Sequence, residues 1–264
     1  MKKFLFRSCI ELTNHRVTSL ALKKFSTSKL SKPLVKPFAR TFRLNVSEMN
    51  QPIHEYQHLH DLFIRQLKSE SRPIDQEVDS LISPVDGILA QHGSLEKETT
   101  FHVKGQTYDV NEMLGSKEAA ANYINGYYFI LYLSPSHYHR IHSPVDGIIT
   151  RQWKLGKLSY PVNNMGLRYG KRPLSKNYRV ITELDVNQKK VAVVKVGAMN
   201  INTIELTHKK ERVHKGEEMA YFSFGSTVVL LLEEGILTHV NVTENSDVKM
   251  GEAIAQLKVE ERNH

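Results

Sequence analysis

From Leu81 onward, hydrophobic residues fall into short runs rather than into helical stripes. Six runs stand out, at 88–89, 129–133, 147–150, 191–194, 227–232 and 237–242. Most of them are bounded by Gly, Pro or Asp, which favour turns, and they are rich in the β-branched residues that favour strands. The pattern predicts that this part of the chain is mostly β-strand.

Helical spacing occurs in only a few places, and the clearest lies near the front of the chain. Apolar residues recur at helical positions in 59–67, and Ser71-Arg72-Pro73 ends that pattern. Two short segments, 110–114 and 116–122, have the composition of helical insertions. We therefore expect an α+β fold, with N-terminal helices followed by a predominantly antiparallel β core.

The motif Ser-Pro-Val-Asp-Gly-Ile occurs twice, at 83–88 and at 143–148. Asp followed by Gly is typical of a tight turn, so each copy is expected to turn the chain into a strand. The repeat predicts two similar β units that face one another. Such an arrangement would bring Asp86 of the first motif close to His142, which directly precedes the second.

Composition limits the remaining possibilities. A chain of 264 residues with 40% hydrophobic and 24% charged residues can bury one sizeable core and carry an appendage. The single cysteine, Cys9, cannot form an internal disulfide, which is consistent with a reducing compartment and gives no sign of thiol catalysis.

The excess positive charge is confined to the N-terminus. The formal net charge is +8, and residues 1–40 hold ten Lys or Arg but a single acid, Glu11. Apolar residues alternate with these cations, as in helices that lie on a membrane surface. We expect residues 1–45 to form a basic amphipathic helical arm that docks on an anionic membrane, and residues 46–264 to form the catalytic domain. A solvated arm without a function is the alternative.

Other roles for the arm are less well supported by its residues. It has no Tyr or Trp on which bases could stack, so no nucleic-acid partner is expected. No apolar run reaches the about 18 to 20 residues needed to span a bilayer. Arg7 interrupts Phe4-Leu5-Phe6 before a secretory signal can develop, whereas the near absence of acids leaves a mitochondrial presequence open.

Candidate chemistry centres on Ser226, which follows Gly225 and opens the apolar run 227–232. A serine preceded by a residue without a side chain is open to attack on its own upstream carbonyl. A hydroxyl is a weak nucleophile until a base activates it and a third group orients the base. Three histidines within 137–142 can supply the base, and either Asp86 or Asp146 can supply the orienting group.

Three blocks together resemble the signature set of phosphatidylserine decarboxylases: Ser83-Pro84-Val85-Asp86-Gly87, Tyr138-His139-Arg140-Ile141-His142-Ser143-Pro144 and Phe224-Gly225-Ser226-Thr227. Two further stretches match, Val196-Gly197-Ala198-Met199-Asn200 and Lys215-Gly216-Glu217-Glu218-Met219. The resemblance extends from about Phe38 to about Val259. The chain departs from the family at Phe224, where Leu is usual, and another large apolar residue should keep the packing.

The resemblance implies a proenzyme that cuts itself between Gly225 and Ser226. The products would be a β chain of residues 1–225 and an α chain of residues 226–264, which stay together as a heterodimer and can assemble further. Ser226 would become a covalent pyruvoyl (pyruvate) cofactor, which forms a Schiff base with the amine of phosphatidylserine and accepts the electrons left when CO2 departs. Phosphatidylethanolamine would be the product.

The resemblance also implies roles for individual residues. Asp86 and His142 would act with Ser226 in self-cleavage, and His139 would assist decarboxylation or reprotonation. The imidazole pKa near neutrality suits either task. The family position favours Asp86 over Asp146. The implied location is the cytoplasmic side of a bacterial cell membrane, as a peripheral protein, with the mitochondrial inner membrane as the alternative.

Three other interpretations use the same residues. A metal site could form on His137 and His139, but no carboxylate follows at the spacing that a His-x-His site needs, and we expect no metal. Residues 247–255 resemble a late strand of lipoyl or biotinyl binding modules, without a modifiable lysine in the expected flanks. A serine hydrolase is disfavoured because Val228 stands where the Gly-x-Ser-x-Gly elbow needs glycine.

Overall fold

The structure of this chain is a computed structural model, which describes residues 21, 23–95, 99–162, 164–198, 204–223 and 226–258. Much of the predicted docking arm, residues 1–20 and Leu22, lies outside the described residues, as does Gly225 of the predicted cleavage site. Met199 and Asn200 of one resembling stretch also lie outside them.

Short helices and many strands alternate along the described chain. The α-helices are α1 (Val35–Thr41), α2 (Leu59–Phe63), α3 (Val110–Leu114), α4 (Lys117–Ala121), α5 (Asn164–Tyr169) and α6 (Pro173–Lys176), and 3-10 turns lie at Lys29–Leu34, Val46–Glu48 and Ser69–Ser71. The strands are β1 (Ser80–Ile82), β2 (Gly87–Ser94), β3 (Thr100–Val103), β4 (Gln106–Asp109), β5 (Tyr127–Leu133), β6 (Arg140–His142), β7 (Gly147–Leu155), β8 (Arg179–Val186), β9 (Lys189–Gly197), β10 (Ile204–Leu206), β11 (Arg212–Val213), β12 (Glu218–Phe222), β13 (Ser226–Leu232), β14 (Leu237–Val240), β15 (Asp247–Val248) and β16 (Ala253–Leu257).

An eight-stranded sheet forms the centre of the molecule, in the order β11-β7-β8-β9-β13-β5-β2-β15. Two three-stranded sheets, β1-β16-β14 and β10-β12-β6, and the hairpin β3-β4 complete the β structure of the described residues. Neighbouring strands in these sheets pair antiparallel. The α+β expectation with an antiparallel core is confirmed.

The central sheet is buried on both faces, which explains the continuous apolar run in β13. Val228 and Leu230 pack in one cluster with Phe222 of β12. Val229 and Leu231 point the other way and share a second cluster with residues of helices α3, α4 and α6. A strand with two buried faces loses the alternation of apolar and polar residues that marks a half-exposed strand.

The two Ser-Pro-Val-Asp-Gly motifs form equivalent turns in two β units. Ser83 and Ser143 each donate a hydrogen bond from Oγ to the carbonyl two residues on, both at 2.7 Å. The link between the units is reciprocal, because the Ile82 amide donates to Pro144 O at 3.0 Å and the His142 amide to Pro84 O at 2.9 Å. The two β units predicted from the repeat are therefore linked directly through their motifs, and their strands β9 and β13 pair side by side in the central sheet.

Along the chain, the second β unit, which contains β7, β8 and β9, is inserted within the first, which contains β2, β5 and β13. In the second unit, β8 and β9 are joined by a tight hairpin through Asn187 and Gln188, both with positive φ, and Val186 pairs with Lys189. The equivalent pair in the first unit is Leu133 with Ser226. The whole second unit is inserted where a hairpin turn would join β5 to β13. Ser226 is thus the residue at which the chain returns to the first unit.

The N-terminal segment has a small apolar core of its own. It is built from Val35, Ala39, Leu44, Met49, Tyr56 and Leu62, so it joins residues on both sides of the predicted boundary at 45/46. Five of the nine large hydrophobic residues that are exposed in the described chain also fall in this segment: Phe25, Leu30, Leu34, Phe42 and Val46. The predicted domain boundary itself stays a prediction.

The predicted helix over 59–67 is wrong at its C-terminal end. Helix α2 ends at Phe63, and the next residue, Ile64, has φ −91° and ψ 18°. The Arg65 guanidinium lies 3.3 Å from Leu62 O and 2.8 Å from Ser136 O in the neighbouring unit. These tertiary bonds favour a turn at the point where helical spacing alone would continue the helix. Among the described residues, no helix is both long and apolar enough to cross a bilayer.

Candidate active site

Ser226 is the first residue of β13, held between Leu133 of β5 and Gly197 of β9. Its side chain is fully buried, and Oγ has no hydrogen-bond partner among the described residues. A buried donor without a partner costs about 1 to 3 kcal/mol, and such groups in folded proteins call for an explanation in terms of function. The buried hydroxyl of Ser226 is thus free of structural hydrogen bonds within the described chain, as the predicted role of nucleophile requires.

His139 lies directly before β6 and is fully buried. Its Nδ1 is 2.8 Å from His137 O, so Nδ1 carries the proton and Nε2 carries the lone pair. Nε2 is buried without a partner in the described chain. The desolvation of this site, and then the charge of Arg65, lower the pKa of His139 well below its ordinary value. The site thus holds a neutral imidazole with an unused lone pair.

His142, at the end of β6, has the same tautomer. Nδ1 lies 2.8 Å from Gly216 O and donates to it, which leaves Nε2 as the acceptor for the Tyr138 hydroxyl at 3.2 Å. Burial lowers the pKa of His142, and the bond to Gly216 and the negative charges of Glu218 and Asp86 oppose that shift in part. His142 is therefore neutral near pH 7, and Tyr138 covers its basic nitrogen.

Asp86 is buried and makes its bonds to other groups than the histidines. Arg72 holds both carboxylate oxygens, with Nε 2.8 Å from Oδ1 and Nη2 2.6 Å from Oδ2. The Met250 amide donates a third hydrogen bond to Oδ1 at 3.0 Å. A carboxylate offers about four acceptor positions, so this set leaves one position unused.

Sequence reasoning expected Asp86, His142 and Ser226 to act together, and the structure brings them near one another without side-chain bonds. His142 is linked to the Asp86 turn through the Pro84 carbonyl, and the Asp86 charge raises the pKa of His142. Ser226 pairs with Leu133 of β5, and the neighbouring Tyr132 pairs with Ile88, two residues after Asp86, so Ser226 lies about two strand spacings from the Asp86 turn. The Phe222 amide donates to His139 O. The catalytic roles of all four residues stay predictions.

Asp146, the competitor of Asp86, occupies the equivalent turn but not an equivalent environment. Its side chain is 71% exposed, against 8% for Asp86. Oδ1 of Asp146 accepts a hydrogen bond from the Lys215 amide at 3.2 Å, as Oδ1 of Asp86 does from the Met250 amide. The ionic partner of Asp146 is the exposed His214, whose Nδ1 lies 3.1 Å from Oδ1. A reactive group needs a shielded environment, so the structure favours Asp86.

Several residues at the site were missed by sequence reasoning because they come from the N-terminal segment. Phe63 packs on His139 with 3.9 Å between ring centroids. Arg65 donates to Ser136 O and to His137 O, and thereby holds the loop that carries the histidines. Arg72 was interpreted only as part of a helix-breaking tripeptide. Nothing in local spacing indicates these contacts, since more than seventy residues separate Arg65 from the loop.

His60 provides another contact from helix α2. Its Nε2 lies 3.2 Å from Oγ of Ser223, a buried residue only three positions before Ser226. Together with Phe63, Arg65 and Arg72, it forms a strap over the active-site end of the β core. We call residues 60–72 the N-terminal strap.

His58, His60 and Asp61 are the one group of described residues whose ligand atoms approach one another closely enough to hold a cation, within 4.8 Å. His58 Nδ1 already accepts the Asp61 amide at 3.1 Å as the N-cap of α2, and His60 contacts Ser223. Asp61 Oδ2 accepts the Gln57 amide at 3.2 Å, so all three residues have other partners. In the loop with His137 and His139, Nδ1 of both rings is likewise bound to backbone groups.

Comparisons with known proteins show the family of this chain. The sequence profile of the phosphatidylserine decarboxylase family matches residues 59–256, which include Asp86, His139, His142 and Ser226. The chain is 53% identical over 259 residues to the phosphatidylserine decarboxylase proenzyme of Geobacillus sp. (strain WCH70), covering 98% of this chain and 100% of that protein. It is 51% identical to the one of Halalkalibacterium halodurans, covering 96% and 98%. The chain belongs to the phosphatidylserine decarboxylase family.

Proposed function

We propose that this chain is a self-processing decarboxylase that cuts itself between Gly225 and Ser226 and then converts phosphatidylserine to phosphatidylethanolamine and CO2. The buried, unpartnered Oγ of Ser226 carries the proposal, in a chain whose relatives are named proenzymes. The β chain 1–225 and the α chain 226–264 remain a heterodimer because β13 is paired along its length with β5 and β9.

Self-cleavage begins with the Ser226 hydroxyl. A base takes its proton, Oγ attacks the Gly225 carbonyl carbon, and the Gly225–Ser226 C–N bond breaks as an ester bond to Oγ forms. Loss of the Ser226 α-proton then expels the Gly225 carboxylate from Cβ, and hydrolysis of the resulting enamine releases ammonia and leaves a ketone at residue 226. His142 suits the task of the base because its buried imidazole is neutral and its Nε2 accepts the Tyr138 hydroxyl, which would pass the proton of Ser226 on to it.

The pyruvoyl group formed in this way supplies a ketone that takes up the substrate amine and holds the electrons left when CO2 departs. The fit of residue 226 to this role rests on its buried position at the mouth of β13. His139 presents an unpartnered Nε2 in a fully buried position packed by Phe63, where it can hold or deliver the proton that replaces CO2. Burial strengthens each such interaction because the local dielectric constant is low.

The enzyme docks on its substrate membrane through the N-terminal segment. Exposed apolar residues such as Phe25, Leu30 and Leu34 alternate there with Lys29 and Lys32. The apolar side chains enter the lipid boundary, and each lysine near an anionic leaflet contributes about 1 kcal/mol. We assign the enzyme to the cytoplasmic side of a bacterial cell membrane, with the mitochondrial inner membrane as the alternative.

A mass spectrum and a denaturing gel of the purified full-length chain test the proposal. We expect two fragments, one that ends at residue 225 and a smaller one that begins at residue 226. The smaller fragment should carry a carbonyl group that reacts with hydroxylamine. Ser226→Ala should stay a single 264-residue chain and lack decarboxylase activity. An uncleaved wild-type chain with full decarboxylase activity would contradict the proposal.

A further inference from the structure

The two equivalent turns of the β core provide an internal comparison. Each contains an Asp whose Oδ1 accepts a backbone amide, from Met250 for Asp86 and from Lys215 for Asp146. Only Asp86 is buried, and only Asp86 has a guanidinium on both of its oxygens. The difference between the two aspartates therefore comes from Arg72, a residue outside the repeated units.

Arg72 reaches Asp86 because the chain that follows it passes between the two units. Gly216 and Gly251 occupy equivalent turns, both with positive φ, and a Cβ on either glycine would meet Ile74 or Pro73 within 3 Å. The Asp75 amide donates to Gly251 O at 2.9 Å. This close packing fixes the backbone on both sides of Ile74. Arg72, two residues earlier, therefore lies beside the turn of Asp86 and not beside the turn of Asp146.

All three nitrogens of the Arg72 guanidinium make hydrogen bonds in this position. Besides the two bonds to Asp86, Nη1 lies 2.6 Å from Ser71 O, and Nη2 lies 3.0 Å from Glu48 Oε2. Burial by itself would lower the pKa of Arg72, but the bonds and charges of Asp86 and Glu48 outweigh it, so the pKa lies above the ordinary value. A planar, bidentate partner holds a carboxylate in one orientation, which an ammonium group does not.

We propose that Arg72 is a positioning residue of self-cleavage: it holds the Asp86 carboxylate in one orientation beside His142, and so makes the first of the two equivalent turns the reactive one. The fixed negative charge of Asp86 then stabilises the imidazolium that forms when His142 takes a proton. This inference rests on the proposed self-cleavage at Ser226 and adds a residue to it.

Full-length wild type, Arg72→Ala, Arg72→Lys and Asp146→Asn, made by cell-free translation and sampled over time on denaturing gels, test this assignment. We expect Arg72→Ala to cleave on the order of 100-fold more slowly, because a shift of about 1 Å in a catalytic group can cost that much. Arg72→Lys should fall between Arg72→Ala and wild type, and Asp146→Asn should cleave like wild type.

Chemical rescue separates positioning from a merely structural role. Guanidinium ion, added well below denaturing concentrations, should restore cleavage of Arg72→Ala, whereas urea, which has the same shape without the charge, should not. If Arg72→Ala gives the circular dichroism of the wild type and cleaves at the wild-type rate, the inference is wrong. If Arg72→Ala does not fold, Arg72→Lys decides, and a wild-type rate in that variant overturns the inference. A wild-type chain that never cleaves would instead refute the proposed function.

Discussion

At the scale of single residues, the candidate site contains polar atoms that the fold buries and leaves without partners. Among the described residues these include His139 Nε2 and Ser226 Oγ, two groups that the proposed chemistry uses. Thr227 Oγ1, next to Ser226, has no partner either, and nothing in the structure explains it. Burial of a histidine without an acid partner keeps it neutral, which suits a base that works near pH 7.

The two histidines should separate the two reactions. His142→Ala should block self-cleavage, whereas His139→Ala should yield both fragments but decarboxylate slowly, on the order of 100-fold or more below wild type, as expected for loss of a general acid or base. Gels report cleavage, and release of labelled CO2 reports turnover. The opposite pattern would mean that the roles are reversed.

The pH dependence of self-cleavage follows from the lowered pKa of His142. Burial disfavours the charged form, so His142 stays neutral below the ordinary histidine pKa of 6.5. The rate of cleavage, measured from pH 8 to 5 on freshly synthesised chain, should be flat near neutrality and fall only on the acid side of 6.5. A loss of rate that begins above that value would show a base with an ordinary or raised pKa.

Lys195 is a buried charge with no acidic partner assigned to it. Burial lowers the pKa of Lys195 to about 7, and its amine donates to Thr182 Oγ1 at 2.7 Å. The unfolded chain binds a proton at this group up to the ordinary pKa of 10.5, so between about 7 and 10.5 it binds more protons than the folded chain. The stability of the protein therefore rises with pH across that window.

Lys195→Met should stabilise the protein, because methionine fills a similar volume without a charge. At pH 7 the free energy of unfolding should increase by about 4 kcal/mol, and the gain should vanish near the unfolded pKa. Thr182 Oγ1 still accepts a hydrogen bond from Gln152 Nε2 at 2.9 Å, so the substitution does not leave this hydroxyl without a partner. Urea denaturation of Ser226→Ala with and without the change, at several pH values, measures this. A pH-independent difference would show that charge burial is not the cause.

At the scale of elements, two glycines bring each Asp turn against a neighbouring strand. A Cβ on Gly87 would lie 2.7 Å from Tyr132 O of β5, and a Cβ on Gly147 would lie 2.9 Å from Asp185 O of β8. These are equivalent contacts in the two units. Only the first one adjoins Asp86.

Gly87→Ala and Gly147→Ala form a matched pair. Each should lower the free energy of unfolding by about 1 to 3 kcal/mol, because the strand must shift to admit the methyl group. Gly87→Ala should also slow self-cleavage, since it displaces the adjacent Asp86, whereas Gly147→Ala should not. Denaturation curves and cleavage rates test both. Equal cleavage in the two variants would show that the position of Asp86 is unimportant.

At the scale of the whole molecule, the N-terminal segment has two surfaces with different tasks. Phe63, Arg65 and Arg72 of the N-terminal strap contact the candidate active site, and the preceding residues expose apolar side chains to the surroundings. The small core that includes Val35 and Leu62 joins the two surfaces. This arrangement keeps the proposed membrane contact next to the reaction site.

Substitutions at exposed apolar residues should reveal the membrane face. Leu30 belongs to the N-terminal segment and is 79% exposed, whereas Val78 lies outside that segment and is 89% exposed. Leu30→Asp should weaken binding of the full-length protein to vesicles containing anionic lipid by about tenfold, because a buried leucine contributes about 1.5 kcal/mol or more. Val78→Asp should bind like wild type. Sedimentation with vesicles at low and high salt measures both, and equal loss in the two variants would argue against a specific docking face.

The sequence alone determined features that depend on local chemistry. Short apolar runs predicted strands such as β5 and β13, because a strand needs only side-chain type and turn residues at its ends. The helical insertion 110–114 was predicted with the bounds that the structure has, since its caps are local. The repeated motif indicated two similar β units, and short motifs indicated the family.

The tertiary structure alone decided which of two equal motifs is buried, where helix α2 ends, and which residues enclose the site. Asp86 and Asp146 have identical neighbours in the sequence, so only the Arg72 contact, which spans fourteen residues and passes between the units, tells them apart. The orphaned state of Ser226 Oγ likewise depends on strands that lie far away in the chain. Long-range contacts of this kind leave no periodic signal, because they are set by how whole units pack.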